Sequence, residues 1–348
     1  MRIAQVAPLY ESVPPRLYGG TERIVHYLVE ELVRRGHEVT LFASGDSDTS
    51  AELVSCWPRA LRLEGKVTQG LAPHLLALEE VARRAGEFDI VHFHVDYVAF
   101  PWARRIGTPS VSTLHGRLDM PELGPLFAEY REHPLVSISD DQRRPLPGAN
   151  WVATIHHGLP ENLYRLEERP GGYLAFLGRI CPEKRPDLAI AIARRAGIPL
   201  KIAAKVDPAD RRYHEEVVRP LLDHPLVEFV GEIGEAEKQE FLGGALALLF
   251  PIDWPEPFGL VMIEAMACGT PVIAFPRGSV PEVIDDGVTG FVVPDVESAA
   301  HAVRRVETLD RRRIRRVFEE RFTAGRMAAD YLRVYDRIRR PQVRPVAA

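Results

Sequence analysis

Two glutamates in the stretch PEPFGLVMIEAMACG have a type and spacing that suggest chemistry. Glu256 lies in a proline-bracketed loop, and Glu264, eight positions later, lies inside a predicted apolar helix, where a carboxylate is costly unless it has a partner. The helix N-terminus between them offers backbone N–H groups and a partial positive charge, which suit a diphosphate. The layout predicts a ligand with hydroxyls at both ends and phosphates in the middle. The alternative is that Glu264 pairs with an arginine of a neighbouring helix and Glu256 is a loop charge.

Two cations in the stretch FLGRICPEKR suit the same ligand. A predicted strand ends at Gly178, and Arg179 and Lys184 follow on the loop before a predicted helix. Arginine can neutralise a diphosphate with paired hydrogen bonds and lysine as a point charge. Cations are unfavourable at a helix start, which argues against the alternative that both are surface charges.

Two weaker signals lie in the first half of the chain. The paired glycines of the stretch YGGTE, residues 18–22, let a backbone approach a ligand closely, but the GxGxxG pattern of dinucleotide sites is absent. His115 ends a predicted strand and could bond to a sugar, although a lone histidine is more often structural. His92 and His94 lie in one strand, which is a poor basis for a metal site, so we predict no metal.

The elements that must position these residues alternate between short apolar strands and amphipathic helices. This alternation predicts parallel sheets covered on both faces, and 348 residues are enough for two such domains. The pattern restarts after a polar stretch, so we place a hinge near residues 157–172. Helices are predicted over 20–35, 185–196, 261–267 and the arginine-rich 296–340. Strands are predicted over 3–7, 39–43, 90–94, 110–114, 135–138 and 152–155, and over 173–177, 200–205, 227–230, 246–250, 271–275 and 290–293.

Composition limits which binding partners and which cellular location are expected. A formal net charge of −5 gives no basic field for nucleic acid. Three scattered cysteines fit reduced thiols in a cytoplasm. The sequence contains no run of about 18 apolar residues, so no membrane span is predicted. Acidic residues interleave with the arginines of 296–340, which favours a solvated helix face over a lipid-binding surface. Peripheral contact with the inner membrane face stays open.

The motifs resemble those of a known family. The stretches FLGRICPEK, PEPFGLVMIEAMACGTPVIAF and GSVPEVIDDGVTGFVV resemble the C-terminal domain of the retaining family-4 glycosyltransferases, and GHEVT and IHHGLP resemble N-terminal features. The resemblance implies the α/β GT-B fold, in which two doubly wound Rossmann-like domains face a central cleft. It implies an acceptor-side domain over 1–160 and a nucleotide-sugar domain over 161–325. A C-terminal helix and tail over 326–348 would pack back on the N-terminal domain.

The resemblance also assigns roles to residues. Glu256 would hold hydroxyls of the donor sugar, and Glu264 those of the donor ribose. Arg179 and Lys184 would hold the diphosphate and stabilise the leaving group. Arg185 departs from the family, which usually has glycine there. The diphosphate would also contact Gly19 and Gly20, and Gly178 would belong to the donor-binding residues. The backbone of Phe258, Gly259 and Leu260 would touch sugar and phosphate. Glu232 and Ile233 would lie near the base, and His115 would face the transferred sugar.

The implied function is transfer of a sugar from a nucleotide-sugar donor, with retention of the anomeric configuration. UDP-sugars are expected ahead of GDP-mannose, and the acceptor is a hydroxyl of a glycan, a lipid-linked sugar or a small molecule. Front-face displacement is expected, with no metal or other cofactor. Two rivals are a nucleotide-sugar 2-epimerase of the same fold and a non-catalytic nucleotide-sugar or glycan-binding protein.

Overall fold

The computed structural model describes residues 1–16, 19–64 and 69–339, which divide into two compact units. Tyr18 of the glycine loop and residues 340–348 of the expected tail lie outside the described residues. Of the described residues, the first unit comprises those within Met1–Ile138, Arg143–His157 and 324–339, and the second comprises Ser139–Gln142 and Gly158–Thr323. The chain therefore leaves the first unit at the start of the region in which the sequence predicts a hinge.

The first unit is built on a parallel sheet. Its strands are β1 (Arg2–Val6), β2 (Glu38–Ser44), β3 (Glu52–Trp57), β4 (Ile90–Phe93), β5 (Ser110–Thr113), β6 (Leu135–Ser137) and β7 (Trp151–Thr154). Within the described residues the sheet has seven strands in the order β3-β2-β1-β4-β5-β6-β7. The helices of this unit in chain order are α1 (Gly20–Arg34), α2 (Leu61–Glu64), α3 (Leu71–Arg84), α4 (Phe100–Ala103) and α5 (Leu123–Glu129), with 3-10 turns at Ala85–Glu87 and Asp96–Ala99. The short helix α6 (Asp140–Arg143) spans a boundary, since Ser139–Gln142 belongs to the second unit.

The second unit repeats the architecture. Its strands are β8 (Leu174–Arg179), β9 (Leu200–Lys205), β10 (Val227–Gly231), β11 (Ala247–Phe250), β12 (Val272–Ala274) and β13 (Gly290–Val292). All pair in parallel, in the order β10-β9-β8-β11-β12-β13. The helices are α7 (Pro186–Ala196), α8 (Arg211–Tyr213), α9 (Arg219–Leu222), α10 (Glu235–Gly243), α11 (Leu260–Ala267), α12 (Val280–Val283), α13 (Val296–Val303) and α14 (Arg311–Arg321), with a 3-10 turn at Pro208–Asp210, a π-helix at His214–Val218 and a 3-10 turn at Val306–Thr308.

Apolar periodicity explains most of these elements. In α1 the residues Ile24, Leu28 and Leu32 recur every four positions and are fully buried, and Gly36 follows the helix with a φ of +82°. Strand β3 was not predicted, because none of its residues is buried and its sequence gives no apolar run. It is the edge strand of the sheet and pairs with β2 alone, so the backbone groups of its other edge have no neighbouring strand in the described sheet.

The arginine-rich end of the chain forms α13, α14 and a last helix, α15 (Ala324–Arg339), which belongs to the first unit. The prediction of a solvated helix face is wrong for two arginines of α14. The guanidinium of Arg311 donates to the carbonyl of Glu167 at 2.6 Å, and that of Arg315 donates to the carbonyl of Ala267 at 2.7 Å. These side chains therefore bind main-chain carbonyls of the second unit instead of facing only solvent. No helix in the described part of the chain combines the length and hydrophobicity that a membrane crossing requires.

Candidate active site

Loops after two adjacent strands of the second unit bring a lysine and a glutamate together. Lys184 follows β8 and Glu256 follows β11, and because these strands are parallel neighbours their carboxyl ends meet at one edge of the sheet. The Nζ of Lys184 forms an ion pair with Oε2 of Glu256. The two side chains are only 16% and 10% exposed, and Trp254 Nε1 donates to the same Oε2 at 2.8 Å. Glu256 is therefore not a simple loop charge.

The ammonium group of Lys184 lies among aromatic rings. Its Nζ is 5.5 Å from the ring centroid of Phe250 and 5.4 Å from that of Trp254, within cation–π range. The backbone N–H of Asp253 donates to the carbonyl of Glu183 at 2.9 Å, which joins the two loops. The cation thus has a fixed position rather than the range of positions that an exposed lysine samples.

A third loop, which contains Gly278, packs closely against the backbone of Glu256. Gly278 has a φ of +55°, and a Cβ added there would lie 2.3 Å from both the backbone N and O of Glu256. The next residue, Ser279, donates its N–H to the carbonyl of Glu256 at 3.0 Å and its hydroxyl to the carbonyl of Phe258 at 2.8 Å. Only glycine permits this approach, because any side chain would displace the backbone that carries the glutamate.

The turn into α11 also requires a glycine. Gly259 caps the helix with a φ of +78°, and an added Cβ would lie 2.9 Å from Cε of Met262 and 3.1 Å from the ring of Phe250. Phe258 before it is 2% exposed, and Leu260 opens the helix. The N–H groups of the first turn therefore face the end of the sheet at which Lys184 and Glu256 meet.

Glu264 has the partner that its burial demands. It is 3% exposed, and its Oε1 lies 2.6 Å from Nζ of Lys238 on α10. The alternative that Glu264 pairs with an arginine of a neighbouring helix has the wrong residue type, since a lysine of a neighbouring helix takes that place. Glu232 and Ile233 lie on the loop that leads from β10 into α10; Glu232 is exposed and Ile233 is half-buried.

The second predicted cation is also paired. Arg179 is the last residue of β8, and its Nη1 lies 3.3 Å from Oδ2 of Asp207 and 3.6 Å from Oδ2 of Asp210. Its side chain is 33% exposed, so the group remains accessible to solvent. At Gly178 an added Cβ would meet ring atoms of Phe176 at 3.9 Å, an ordinary contact, so packing does not require glycine there.

Arg185 occupies a backbone conformation that favours glycine. Its φ is +52°, in the left-handed region that non-glycine residues rarely adopt. The guanidinium forms ion pairs with Asp187, at 2.8 Å, and with Asp253, at 3.4 Å. The added charge is thus paired with acids at the start of α7 and on the loop after β11.

In the first unit the glycine loop links β1 to α1. An added Cβ at Gly19 would lie 2.7 Å from Cβ of Pro15 and 3.2 Å from Cγ of Glu11, so the turn needs a glycine. Gly20 begins α1 and is exposed. Of the two glycines, Gly19 is buried, and Gly20 is the one that is exposed to the approach of a ligand.

A buried acid behind this loop predicts a pH-dependent stability. Burial raises the pKa of Glu22 from 4.5 to about 7, with the neighbouring Glu11 adding to the effect. Because the folded state keeps a proton that the unfolded chain releases, the free energy of unfolding should fall as pH rises from about 5 to 8. The variant Glu22→Gln should lose this slope and be more stable than the parent above about pH 7. Thermal melts of both proteins across this range test the expectation, and parallel curves would contradict it.

His115 lies directly after β5, where the sequence places it. Its backbone N–H donates to Oδ1 of Asp96 at 3.1 Å, and its ring stacks on that of His157 with 5.3 Å between centroids. Nε2 of His115 lies 2.9 Å from Nδ1 of His94. Burial lowers the pKa of His115 to about 3, so the ring is neutral near pH 7. Among the described residues no group of histidine, cysteine and acidic side chains has a geometry that could hold a metal ion.

Several residues of this site gave no recognisable sequence signal. Asp96 has a φ of +49° and anchors His115, but sequence alone shows only an acid after a strand. Lys238 lies in a polar helix with many charges, and Asp207 and Asp210 lie in an ordinary loop. Among these residues, sequence could have indicated Trp254, because it directly precedes the proline-bracketed stretch that contains Glu256.

The two parallel sheets, with their helices and with these strand-end loops, define a glycosyltransferase of the GT-B fold. The model of Glycosyltransferase Family 4 matches residues 18–152, and that of Glycosyl transferases group 1 matches residues 166–321. The chain belongs to glycosyltransferase family 4, as its motifs indicated.

Two relatives and one solved structure show how far the similarity extends. A phosphatidyl-myo-inositol mannosyltransferase of Mycobacterium leprae (strain TN) is 28% identical over 97% of this chain and 93% of its own length. A D-inositol 3-phosphate glycosyltransferase of Frankia alni is 30% identical over 71% of this chain and 70% of its own. The crystal structure of AviGT4, a glycosyltransferase involved in avilamycin A biosynthesis, is 26% identical, with a TM-score of 0.76 and 98% of each chain covered.

Proposed function

We propose that the protein is a retaining hexosyltransferase that moves a sugar from a nucleoside-diphosphate sugar to a hydroxyl acceptor. The observation that carries this proposal is the buried ion pair of Lys184 and Glu256 at the sheet edge where α11 begins. It sets a cation for phosphate beside an acid for hydroxyls. Glu264 lies farther along the same helix, at a spacing that suits the ribose of the same donor.

Binding of the donor exchanges the partners seen in the structure. The diphosphate takes the place of Asp207 and Asp210 at Arg179 and shares Lys184 with the first N–H groups of α11. A sugar hydroxyl donates to Glu256 as the lysine turns to phosphate. Each exchange replaces one charge-assisted contact by another, so no buried charge is left without a partner.

Transfer then proceeds on one face of the sugar. The bond between the anomeric carbon and the leaving phosphate oxygen breaks as the acceptor oxygen bonds to the same face. The acceptor's proton passes to an oxygen of the leaving phosphate. Arg179 and Lys184 stabilise the negative charge that grows on the diphosphate, which is the main contribution that the protein makes to the rate.

We propose that protein cations supply this charge stabilisation and that transfer needs no metal. The support is the pair of fixed basic side chains at the end of β8, together with the N-terminus of α11. A cytoplasmic location, with peripheral contact at the inner membrane face for lipid-linked acceptors, is part of the same proposal. All three cysteines are free thiols, which is compatible with a reducing compartment.

A donor screen tests the proposal directly. UDP-, GDP- and ADP-sugars are added to the protein and to its variant Glu264→Gln, and the midpoint of thermal unfolding is followed. One nucleotide class, UDP-sugars in our prediction, should stabilise the parent by about 2.7 kcal/mol at a hundred times its dissociation constant. The variant should respond at least several-fold more weakly, because an amide replaces a charged acceptor of ribose hydroxyls.

Product analysis decides among functions. The stabilising donor is incubated with inositol, inositol 3-phosphate and simple glycosides, the first two because inositol appears in the names of both relatives. A glycoside with the donor's anomeric configuration, formed at an unchanged rate in EDTA, is the expected result. An epimerised donor in the absence of acceptor would select a 2-epimerase. A donor that binds but is never consumed would select a binding protein.

A further inference from the structure

A buried side-chain network links a glutamine of the first strand to His115. Gln5 on β1 is fully buried. Its Oε1 lies 2.8 Å from Nε2 of His94, and its Nε2 lies 2.9 Å from the hydroxyl of Tyr335 on α15. His94 in turn reaches Nε2 of His115 through its Nδ1, at 2.9 Å. The amide therefore touches the first member of a chain that ends at the predicted sugar-binding ring.

The rings of this network are neutral, which restricts their protons. Burial lowers the pKa of His92 and His94 well below 6.5 and that of His115 to about 3. A neutral imidazole carries one N–H, so one ring nitrogen donates and the other accepts. The direction of a hydrogen bond between two such rings is therefore fixed by the partner of the other ring nitrogen, which determines whether that nitrogen donates or accepts.

The amide oxygen of Gln5 sets that direction. It can only accept, so Nε2 of His94 donates to it and Nδ1 of His94 must accept. Nε2 of His115 then donates to His94, and Nδ1 of His115 carries the lone pair. This Nδ1 is buried and has no hydrogen-bond partner among the described residues.

A second branch uses the other end of the same amide. Its N–H group donates to the hydroxyl of Tyr335, whose own proton goes to Nδ1 of His92 at 2.7 Å. Nε2 of His92 then donates to the hydroxyl of Thr113, also at 2.7 Å. Rotating the amide group of Gln5 by 180° would reverse the donor and acceptor of every hydrogen bond in both branches. It would also place the proton of His115 on Nδ1, as a buried N–H without a partner among the described residues. A lone pair without a partner is the less costly of the two arrangements.

We propose that Gln5 is a positioning residue that fixes the tautomer of His115, so that Nδ1 accepts a hydrogen bond from a hydroxyl of the transferred sugar. This inference rests on the proposed function, because it is the donor that would bring the hydroxyl. Gln5 acts through His94 and touches neither substrate nor reacting atoms. The arrangement selects sugars that carry a hydroxyl at the position facing His115 over the corresponding deoxy sugars.

Tautomers can be read directly by long-range ¹H–¹⁵N correlation spectra of histidine-labelled protein, with the His115 signal assigned by the variant His115→Asn. In the parent protein we expect a proton on Nε2 of His115 and none on Nδ1. A protonated Nδ1 overturns the proposal without any further variant. This measurement needs no substrate and is independent of whether the protein transfers sugar.

Variants at two fully buried residues, Gln5 and Tyr335, then separate an effect on the His115 tautomer from a general loss of packing. Gln5→Leu removes the amide and should give a mixture of both His115 tautomers. Tyr335→Phe keeps the contact of Gln5 with His94 and should change the signals of His92 while His115 stays as in the parent. An unchanged His115 tautomer in Gln5→Leu overturns the proposal.

The kinetic counterpart uses the donor and acceptor found in the screen. Gln5→Leu should lower kcat about fivefold or more, the loss expected for one hydrogen bond, with little change in KM for the donor. It should also discriminate less against the deoxy sugar donor than Tyr335→Phe does. A shifted tautomer with kcat and discrimination unchanged overturns the positioning role, although glycosyl transfer itself would stand. Absence of transfer by the parent protein would instead refute the proposed function.

Discussion

Lys184→Ala should lower the turnover number at least a hundredfold while the protein still folds. In the proposed mechanism the lysine contributes charge where the leaving diphosphate develops negative charge, and removing one such group costs about 3 kcal/mol in the barrier. The variant also leaves the carboxylate of Glu256, 8% exposed, with the indole N–H of Trp254 as its partner, so some loss of stability is expected. Single-turnover rates and circular dichroism separate the two effects. Arg179→Ala should act in the same direction, since it removes the second cation.

Arg185→Gly is the matched control for this loss. It removes a positive charge from the next position of the same loop, and its φ of +52° suits glycine. Its ion pairs with Asp187 and Asp253 are partly exposed, and such pairs contribute about 1 kcal/mol or less, so turnover should stay within about fivefold of the parent. Near-normal turnover in Lys184→Ala, or equal losses in both variants, would refute a specific role for Lys184.

Gly278→Ala should damage stability and activity together. The new Cβ would lie 2.3 Å from backbone atoms of Glu256, and the φ of +55° is unfavourable for alanine. Overpacking and left-handed strain together should lower the free energy of unfolding by about 2–4 kcal/mol. Because the segment that must move carries Glu256, turnover should fall about tenfold to a hundredfold. Denaturant unfolding and steady-state rates measure the two losses.

Gly287→Ala separates strain from steric conflict. Gly287 has a similar φ of +74°, but an added Cβ meets nothing within 4 Å. It should therefore lose only the conformational part, about 1–2 kcal/mol, and keep its turnover. Equal rates in the two variants would mean that the approach of Gly278 does not position Glu256.

The structure brings Lys184 and Glu256 together as the sequence predicted, because the chemistry of these loops is local. Glu256 and Glu264 lie on one short helix and the loop before it, and Arg179 and Lys184 lie on one strand-to-helix turn. Spacing along the chain then translates into spacing in the structure. The parallel sheets followed from apolar runs, and only β3, an edge strand with half-exposed residues, escaped.

What sequence could not supply were partners set by distant packing. Gln5 and Tyr335 are 330 positions apart, and no local pattern relates a strand glutamine to a helix tyrosine. Lys238 meets Glu264 only because α10 packs beside α11, and its surroundings in the chain are those of any exposed helix. The same holds for Asp207 beside Arg179, where two successive strands of the sheet bring their loops together.

In the structure the two cations that we propose bind phosphate already form ion pairs with carboxylates of the protein itself. Under this proposal, inorganic phosphate or sulfate arriving alone must displace such a carboxylate and offers no sugar hydroxyls to the acid it displaces. A nucleotide sugar would bring hydroxyls for Glu256 along with its phosphates, so it would compensate the group it displaces. We therefore expect the site to discriminate against the small anions that are abundant in any cell, at some expense of affinity for its donor.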